Sequence, residues 1–197
     1  MTVEVAPLTP EELGDVVGVL ARGMRDNPLH IAVFGDDPEH RVARLTDMFQ
    51  VVIGMQPDAL RADDDGTIVG TCGLSDTDPC SVGALADTPR EQFPPMSDDP
   101  VEGDRIYEWM MAWAERDPGE RHLHLGPIAA DAGRQGQGIG TAMMDAFCAV
   151  ADKHDLLAYL ETDKADNVRF YEKFGFETVG EASVIGVPNW FMTRTPR

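Results

Sequence analysis

The stretch GRQGQGIGTAMMDA, residues 133–146, sets glycines at positions 136, 138 and 140 against the opening turn of a helix. Downstream, Ile139, Ala142, Met143, Ala146, Phe147, Val150 and Ala151 recur at helical spacing and predict a helix over residues 139–153. Upstream, residues 122–130 alternate as a strand, interrupted at Gly126-Pro127. A helix N-terminus leaves amide protons without partners and carries partial positive charge, so a glycine-rich approach to it makes an anion cradle. With no β-carbon at those glycines, a phosphate can come close to the backbone, and Thr141 adds a hydroxyl one step into the helix. Beyond the helix, residues 156–162 read as a buried strand, 166–173 as a short helix, and 176–183 and 189–193 as two closing strands. Strands interleaved with helices in this way predict an α/β (α+β) domain with a mixed, twisted sheet.

Toward the N-terminus, residues 3–8 read as a first strand. Thr9, Pro10 and Glu12 supply an N-cap, a first-turn proline and a capping-box partner for a helix over 10–24. Leu13, Val16, Val17, Leu20 and Met24 form its apolar face, and Asn27-Pro28 ends it. A second helix follows Asp37-Pro38, with Val42, Leu45, Met48, Phe49 and Val52 on one side. Residues 59–74 read as a hairpin about Asp63-Asp64-Asp65-Gly66. Between Ser75 and Gly103, the prolines at 79, 89, 94, 95 and 100 and the lack of a clean period predict an irregular connection with at most one helical turn. A helix over 104–116 presents Ile106, Trp109, Met110 and Trp113 as core anchors.

Whole-chain properties narrow the classes. At 197 residues and 43% hydrophobic content, one domain spanning 1–197 is expected, and no internal repeat is visible. The chain has no apolar run long enough to span a bilayer and no signal-like start, which predicts a soluble, cytoplasmic protein without a membrane partner. A formal charge of -19 argues against nucleic-acid binding and favours cationic partners. Cys72, Cys80 and Cys148 form no CxxC pair, which argues against disulfides and against a zinc site built on thiolates, so no metal is expected.

Register sorts the known phosphate cradles. A dinucleotide fingerprint begun at Gly136 would need glycine at position 141, which is threonine, and a P-loop begun at Gly133 would need lysine where Ile139 stands. What remains is Gln135-Gly136-Gln137-Gly138-Ile139-Gly140, a Q-x-x-G-x-G pattern between a strand and a long helix. This resembles the coenzyme A pyrophosphate loop of the GNAT superfamily of N-acetyltransferases. Asn167, Tyr171 and Gly175-Phe176 in DNVRFYEKFGF are similar to that family's N…Y…GF segment. The tail from LETDKADNVRFY onward, with GPIAADAGRQGQGIG ahead of it, resembles the puromycin N-acetyltransferase-like branch, most strongly over 121–194. DNPLH and DDPEHRVARLTDMF resemble it more weakly. Ala130 and Ala132 stand where the family usually has valine and proline, and 75–102 align with nothing.

The resemblance implies a GNAT fold with a splayed central strand pair, acetyl-CoA as co-substrate, and direct attack of an amine on the thioester. In the family, backbone at the positions of Ile128, Ala129 and Ala130 pairs with the pantetheine arm, and a fixed amide there polarises the thioester carbonyl. Gly126-Pro127 fits such an opened slot, because proline lacks the N–H for strand pairing; a plain strand bulge fits the same residues. Gln135, Gly136, Gln137, Gly138, Ile139, Gly140 and Thr141 would donate to the pyrophosphate, and Asn167 would bond the cofactor or simply cap its helix. Tyr171 occupies the position that protonates the departing sulfur, although Phe170, Phe174 and Phe176 beside it also make a core cluster. An alkylamine arrives protonated and needs a base. Glu161 is the first candidate and the alternative is a charge that closes an ion pair; His124 and His122 follow. Whether the histidines share a face with Ile128 depends on what Gly126-Pro127 does to the alternation. The acceptor class stays open among aminoglycoside-like or aminonucleoside molecules, polyamines and protein lysines, as does a homodimer. A transferase of longer acyl groups and a CoA-binding sensor without turnover are the rival readings.

Overall fold

The computed structural model describes residues 3–77, 80 and 82–197. Pro79, one of the prolines of the irregular connection, lies outside them. Strand β1 (Glu4–Pro7) leads into a 3-10 turn at Pro10–Glu12, where the Glu12 carboxylate accepts from the Thr9 amide at 2.9 Å. Helix α1 (Leu13–Met24) follows, then α2 (Pro28–Phe34), which the sequence reading did not anticipate, and α3 (Pro38–Gly54). Asn27-Pro28 both ends α1 and starts α2; a helix of seven residues is too short to show a period of its own.

Strands β2 (Leu60–Asp64) and β3 (Thr67–Thr77) form the expected hairpin, turning at Asp65-Gly66, both with positive φ. The connection beyond β3 contains two 3-10 turns, Gly83–Leu85 and Arg90–Gln92, where at most one turn was expected. Helix α4 runs Pro100–Ala114, four residues earlier at its start than the reading of 104–116, because Asp99 caps it: its Oδ1 accepts from the Val101 amide at 2.9 Å. Then come β4 (His122–Ala130), α5 (Ile139–His154), β5 (Leu157–Thr162), α6 (Ala165–Glu172), β6 (Glu177–Val184) and β7 (Val187–Arg194).

Among the described residues these strands make one sheet in the order β1-β2-β3-β4-β5-β7-β6. Every adjacent pair is antiparallel except β4 with β5, which α5 connects in parallel. One face, with Leu123, Leu125, Ala158 and Leu160, packs on Met143, Met144 and Phe147 of α5 and on Tyr171 of α6. The other face, with Ala59, Ala129 and Val184, packs on Leu20 of α1, Leu29 of α2, Phe49 of α3 and Trp109 of α4. Two glycines set how closely helices approach the site strands. A β-carbon on Gly70 of β3 would lie 2.6 Å from Ile139 Cγ2 of α5, and one on Gly23 of α1 would lie 2.5 Å from the Ala130 carbonyl oxygen of β4. No helix among the described residues is long and apolar enough to cross a membrane.

Candidate active site

Strands β4 and β5 pair only at His122–Leu157, Leu123–Ala158 and His124–Tyr159. Past that point β4 stays on β3 as far as Ala130, while β5 follows β7. Among the described residues the edge of β4 over residues 125–130 therefore has no strand on its β5 side, and a wedge opens in the middle of the sheet. Such a bare row of amides and carbonyls is a template for an extended guest.

Gly126-Pro127 accounts for the change of course. Cys72 pairs with Ile128 but Leu74 with Leu125, so Gly126 and Pro127 together face the single residue Gly73, which is a bulge. The Gly126 carbonyl accepts instead from Gln56 Nε2 at 2.9 Å. One extra residue flips the alternation. Ile128 and Ala130 pack on the α5 side with Leu123 and Leu125, whereas Ala129 joins the opposite core. His122 and His124 thus lie on the face away from Ile128, which answers the question that the sequence left open.

Past β4, Asp131 Oδ1 accepts from the Gly133 amide at 3.1 Å to start a 3-10 turn over Ala132–Arg134. The turn is held from outside by Arg22 on Asp131 at 2.5 Å and by Arg134 on Asp64. Gly136 (φ 76°) and Gly138 (φ 85°) are left-handed, and a β-carbon on either would meet no protein atom within 4 Å. Gly138 is the N-cap of α5 and offers no side-chain acceptor, so the amides of Ile139, Gly140 and Thr141 are left uncapped, with no acidic residue in the first turn to compete for them. Gln135 and Gln137 are tied down at the rim, Gln135 to the Gly23 carbonyl at 3.4 Å and Gln137 to Arg134 Nε at 3.1 Å. The cradle is clear of side chains at Gly136 and Gly138, with the Phe170 ring bordering Gly140 at 3.4 Å from a β-carbon placed there, and it is polarised for an anion, so its residues fit a pyrophosphate.

Tyr171 is buried, against Phe170 and Phe176 with ring centroids 5.4 and 6.1 Å away, and it belongs to the α5-side core. Its hydroxyl makes no hydrogen bond among the described residues. Burial pushes its pKa up, and the nearby Cys72 and Asp163 push it further, so the phenol keeps its proton. Asn167 Nδ2 donates to Thr162 Oγ1 at 3.2 Å, joining α6 to the end of β5.

Glu161 and His124 meet, with His124 Nε2 2.8 Å from Glu161 Oε2. Glu161 Oε1 is buried without a partner. The other nitrogen of His124, Nδ1, lies 3.3 Å from Cys80 Sγ. Burial alone would depress the His124 pKa, but the Glu161 charge and the hydrogen bonds to Cys80 and Glu161 carry it up to about 10. Cys80 is the converse case: burial opposes ionisation, yet the neighbouring imidazoles of His122 and His124 bring the thiol down to about 7. No sequence signal pointed to Cys80, because its neighbours lie more than forty residues along the chain.

The corner between α1 and α2 was also missed. The Leu29 amide donates to Asp163 Oδ2 at 2.7 Å, and His30 Nδ1 sits 2.8 Å from the Met24 carbonyl oxygen. These bonds pin the corner against the end of β5 beside the wedge. Burial lowers the His30 pKa and keeps the ring neutral.

The comparisons with known proteins agree with this geometry. The model of the acetyltransferase (GNAT) family matches residues 30–176. The chain belongs to the GNAT family. Its fold recurs in solved GNAT structures over their whole length. A Corynebacterium glutamicum protein described as "histone acetyltransferase HPA2 and related acetyltransferase" is 21% identical with a TM-score of 0.71, covering 100% of this chain and 98% of that one. The polyamine N-acetyltransferase of Drosophila melanogaster, which forms N-acetylagmatine, is 13% identical with a TM-score of 0.74, covering 98% and 100%. The ribosomal-protein-S18-alanine N-acetyltransferase of Escherichia coli is 13% identical with a TM-score of 0.59, covering 98% and 94%. The chain is a GNAT N-acetyltransferase, and the family implies acetyl-CoA as its co-substrate.

Proposed function

We propose that this enzyme acetylates a primary amine of a small cationic molecule. The observation that carries the reading is the parting of β4 from β5 directly ahead of an uncapped helix N-terminus. Those two features suit the two ends of coenzyme A. Ile128, Ala129 and Ala130 offer their open edge to the pantetheine arm, and the amides from Gln135 to Thr141 take the pyrophosphate. Asn167 exchanges Thr162 for a cofactor oxygen. Bound acetyl-CoA supplies the thioester carbonyl.

Transfer forms a C–N bond and breaks the C–S bond. Tyr171 gives its proton to the departing sulfur, and a phenol that stays protonated is suited to that task. The acceptor ammonium loses a proton through water to Glu161, whose Oε1 is the unused acceptor beside the wedge. His124 has Nε2 engaged with Glu161 Oε2 and Nδ1 turned to Cys80, so it offers no free nitrogen to that proton.

The charge of -19 draws cations to the molecule. Likeness of residues 121–194 to the puromycin N-acetyltransferase-like branch, and a fold shared with an enzyme that forms N-acetylagmatine, support a compact amine over a protein lysine. The test is thiol release from acetyl-CoA across agmatine, spermidine, an aminonucleoside and a lysine peptide. The expected result is acceptor-dependent thiol with a small amine. Turnover with the lysine peptide alone would overturn the acceptor class, faster release from succinyl-CoA would favour the longer-acyl reading, and binding of acetyl-CoA without turnover on any amine would favour a sensor.

A further inference from the structure

A cluster of ligating groups gathers at the start of β4, on the face away from α5. Cys80, Asp117, His122 and His124 each bring one donor atom to it, and these atoms all lie within 4.8 Å of one another. Two close pairs define it: Cys80 Sγ to His124 Nδ1 at 3.3 Å and His122 Nε2 to Asp117 Oδ2 at 3.4 Å. Four donors on a tetrahedral ion with bonds of about 2.0–2.3 Å stand roughly 3.3–3.8 Å apart; the two close pairs already have that spacing, and the rest would need to close by about 1 Å.

The outward hydrogen bonds of the two histidines are the stronger argument. His122 Nδ1 lies 2.7 Å from the Glu120 carbonyl oxygen, to which it donates, leaving a lone pair on Nε2. His124 engages Glu161 through Nε2, leaving Nδ1 for Cys80. A metal-bound histidine is held in the same way, its far nitrogen donating to a carboxylate or a backbone carbonyl. The inner groups, in contrast, have little but one another. His122 Nε2 and Asp117 Oδ2, on side chains 0% and 5% exposed, form an ion-pair contact at 3.4 Å but make no hydrogen bond. Buried polar atoms held by so loose a contact are costly unless something binds both. A cavity of about 430 Å³, bordered by Cys80, Ala84, Asp87, Asp117 and Glu120, gives a way in from solvent.

We propose that Cys80, Asp117, His122 and His124 bind one divalent transition-metal ion, with zinc the ion this donor set favours. One thiolate, two imidazoles and one carboxylate form a closed tetrahedral set, typical of a structural site. The lack of a CxxC pair, read from the sequence as evidence against zinc, bears only on sites built from paired thiolates. The ion would tie the β3–α4 connection and the α4–β4 turn to β4. Through His124 it would also fix Glu161 in place, so that Glu161 is a positioning partner of the metal as well as a group of the acetyl-transfer site. Metal binding stands independently of the acetyl-transfer reading.

The test uses the purified full chain, stripped with a chelator and titrated with Co²⁺ in the absence of acetyl-CoA. One equivalent should produce a thiolate-to-cobalt charge-transfer band and the strong d–d bands of a tetrahedral site, both erased by Zn²⁺. Cys80→Ser should lose the charge-transfer band, Cys148→Ser should keep it, and Glu161→Gln should weaken affinity by roughly 10–100-fold. Should Cys80→Ser not fold, protection of Cys80 from alkylation by one equivalent of Zn²⁺, mapped by peptide mass in the unmutated chain, reads the same contact. A wild-type protein that gives no charge-transfer band, a band unchanged in Cys80→Ser, or no protection of Cys80 would overturn the proposal. None of these readouts depends on turnover, so failure of the metal site and failure of the acetyltransferase reading are separable.

Discussion

At the scale of single residues, Tyr171 is a core side chain for which the proposed function adds a chemical role. Its ring belongs to the core with Phe170 and Phe176, while its hydroxyl bonds to nothing among the described residues. Tyr171→Phe keeps the ring and removes a hydroxyl with no partner to lose, so the melting temperature should barely move. Turnover should fall roughly ten- to a thousandfold with acetyl-CoA affinity nearly unchanged, the lower part of that span being the usual worth of a general acid. Steady-state kinetics beside calorimetric titration of acetyl-CoA check this, and unaltered turnover would remove the hydroxyl from the reaction. Tyr171 stood out in the sequence because it lies in a local pattern with Asn167 and Gly175-Phe176. The bond between Glu161 and His124, and the meeting of Cys80 with His122 and His124, were not legible. They join residues far apart in the chain, and no local periodicity encodes such contacts.

At the scale of elements, the start of α5 is where the proposed function puts the pyrophosphate of the cofactor. Gly138→Val would place a branched side chain in the empty cradle at a φ of 85°. The backbone strain costs about 1–3 kcal/mol of stability, whereas the blocked cradle should abolish acetyl-CoA binding. Calorimetry should find no binding to a variant whose circular dichroism remains folded; retained affinity would place the pyrophosphate elsewhere. The strand–turn–helix around this point was readable, since glycine spacing and the apolar stripe of α5 are local signals. The wedge itself was expected only through resemblance, because two strands part according to what each pairs with on its other side. The cap of α4 was a missed local signal: Asp99-Pro100 repeats the pattern by which Asp37-Pro38 starts α3, but it lay hidden among the prolines of the irregular connection.

At the scale of the whole molecule, long-range ion pairs hold the layers under a large excess of acid. Arg194 of β7 grips Asp152 of α5 with two bonds of 2.7 and 2.9 Å, and its Nε donates to the Phe174 carbonyl at 2.9 Å. The hydrogen bonds from Arg194 hold the Asp152 carboxyl below the usual carboxylate range. A depressed carboxylate pKa contributes stability that is complete above the unfolded-state value, about 3.9, and is lost as pH falls through the folded one. Asp152→Asn leaves the guanidinium, 4% exposed, without its counter-charge and should lower stability near pH 7 by about 1–3 kcal/mol. The deficit should narrow as pH drops below about 4. Urea unfolding of both proteins across pH checks this, and a deficit independent of pH would assign the loss to packing alone. The bulge at Gly126-Pro127 has a consequence at this scale too. It turns Ile128 and Ala130 toward one side of the sheet while His124 and Glu161 stay on the other, so on the proposed reading cofactor and acceptor would meet it from opposite faces. The sheet would then be a partition, crossed by the acetyl group only where the two strands part.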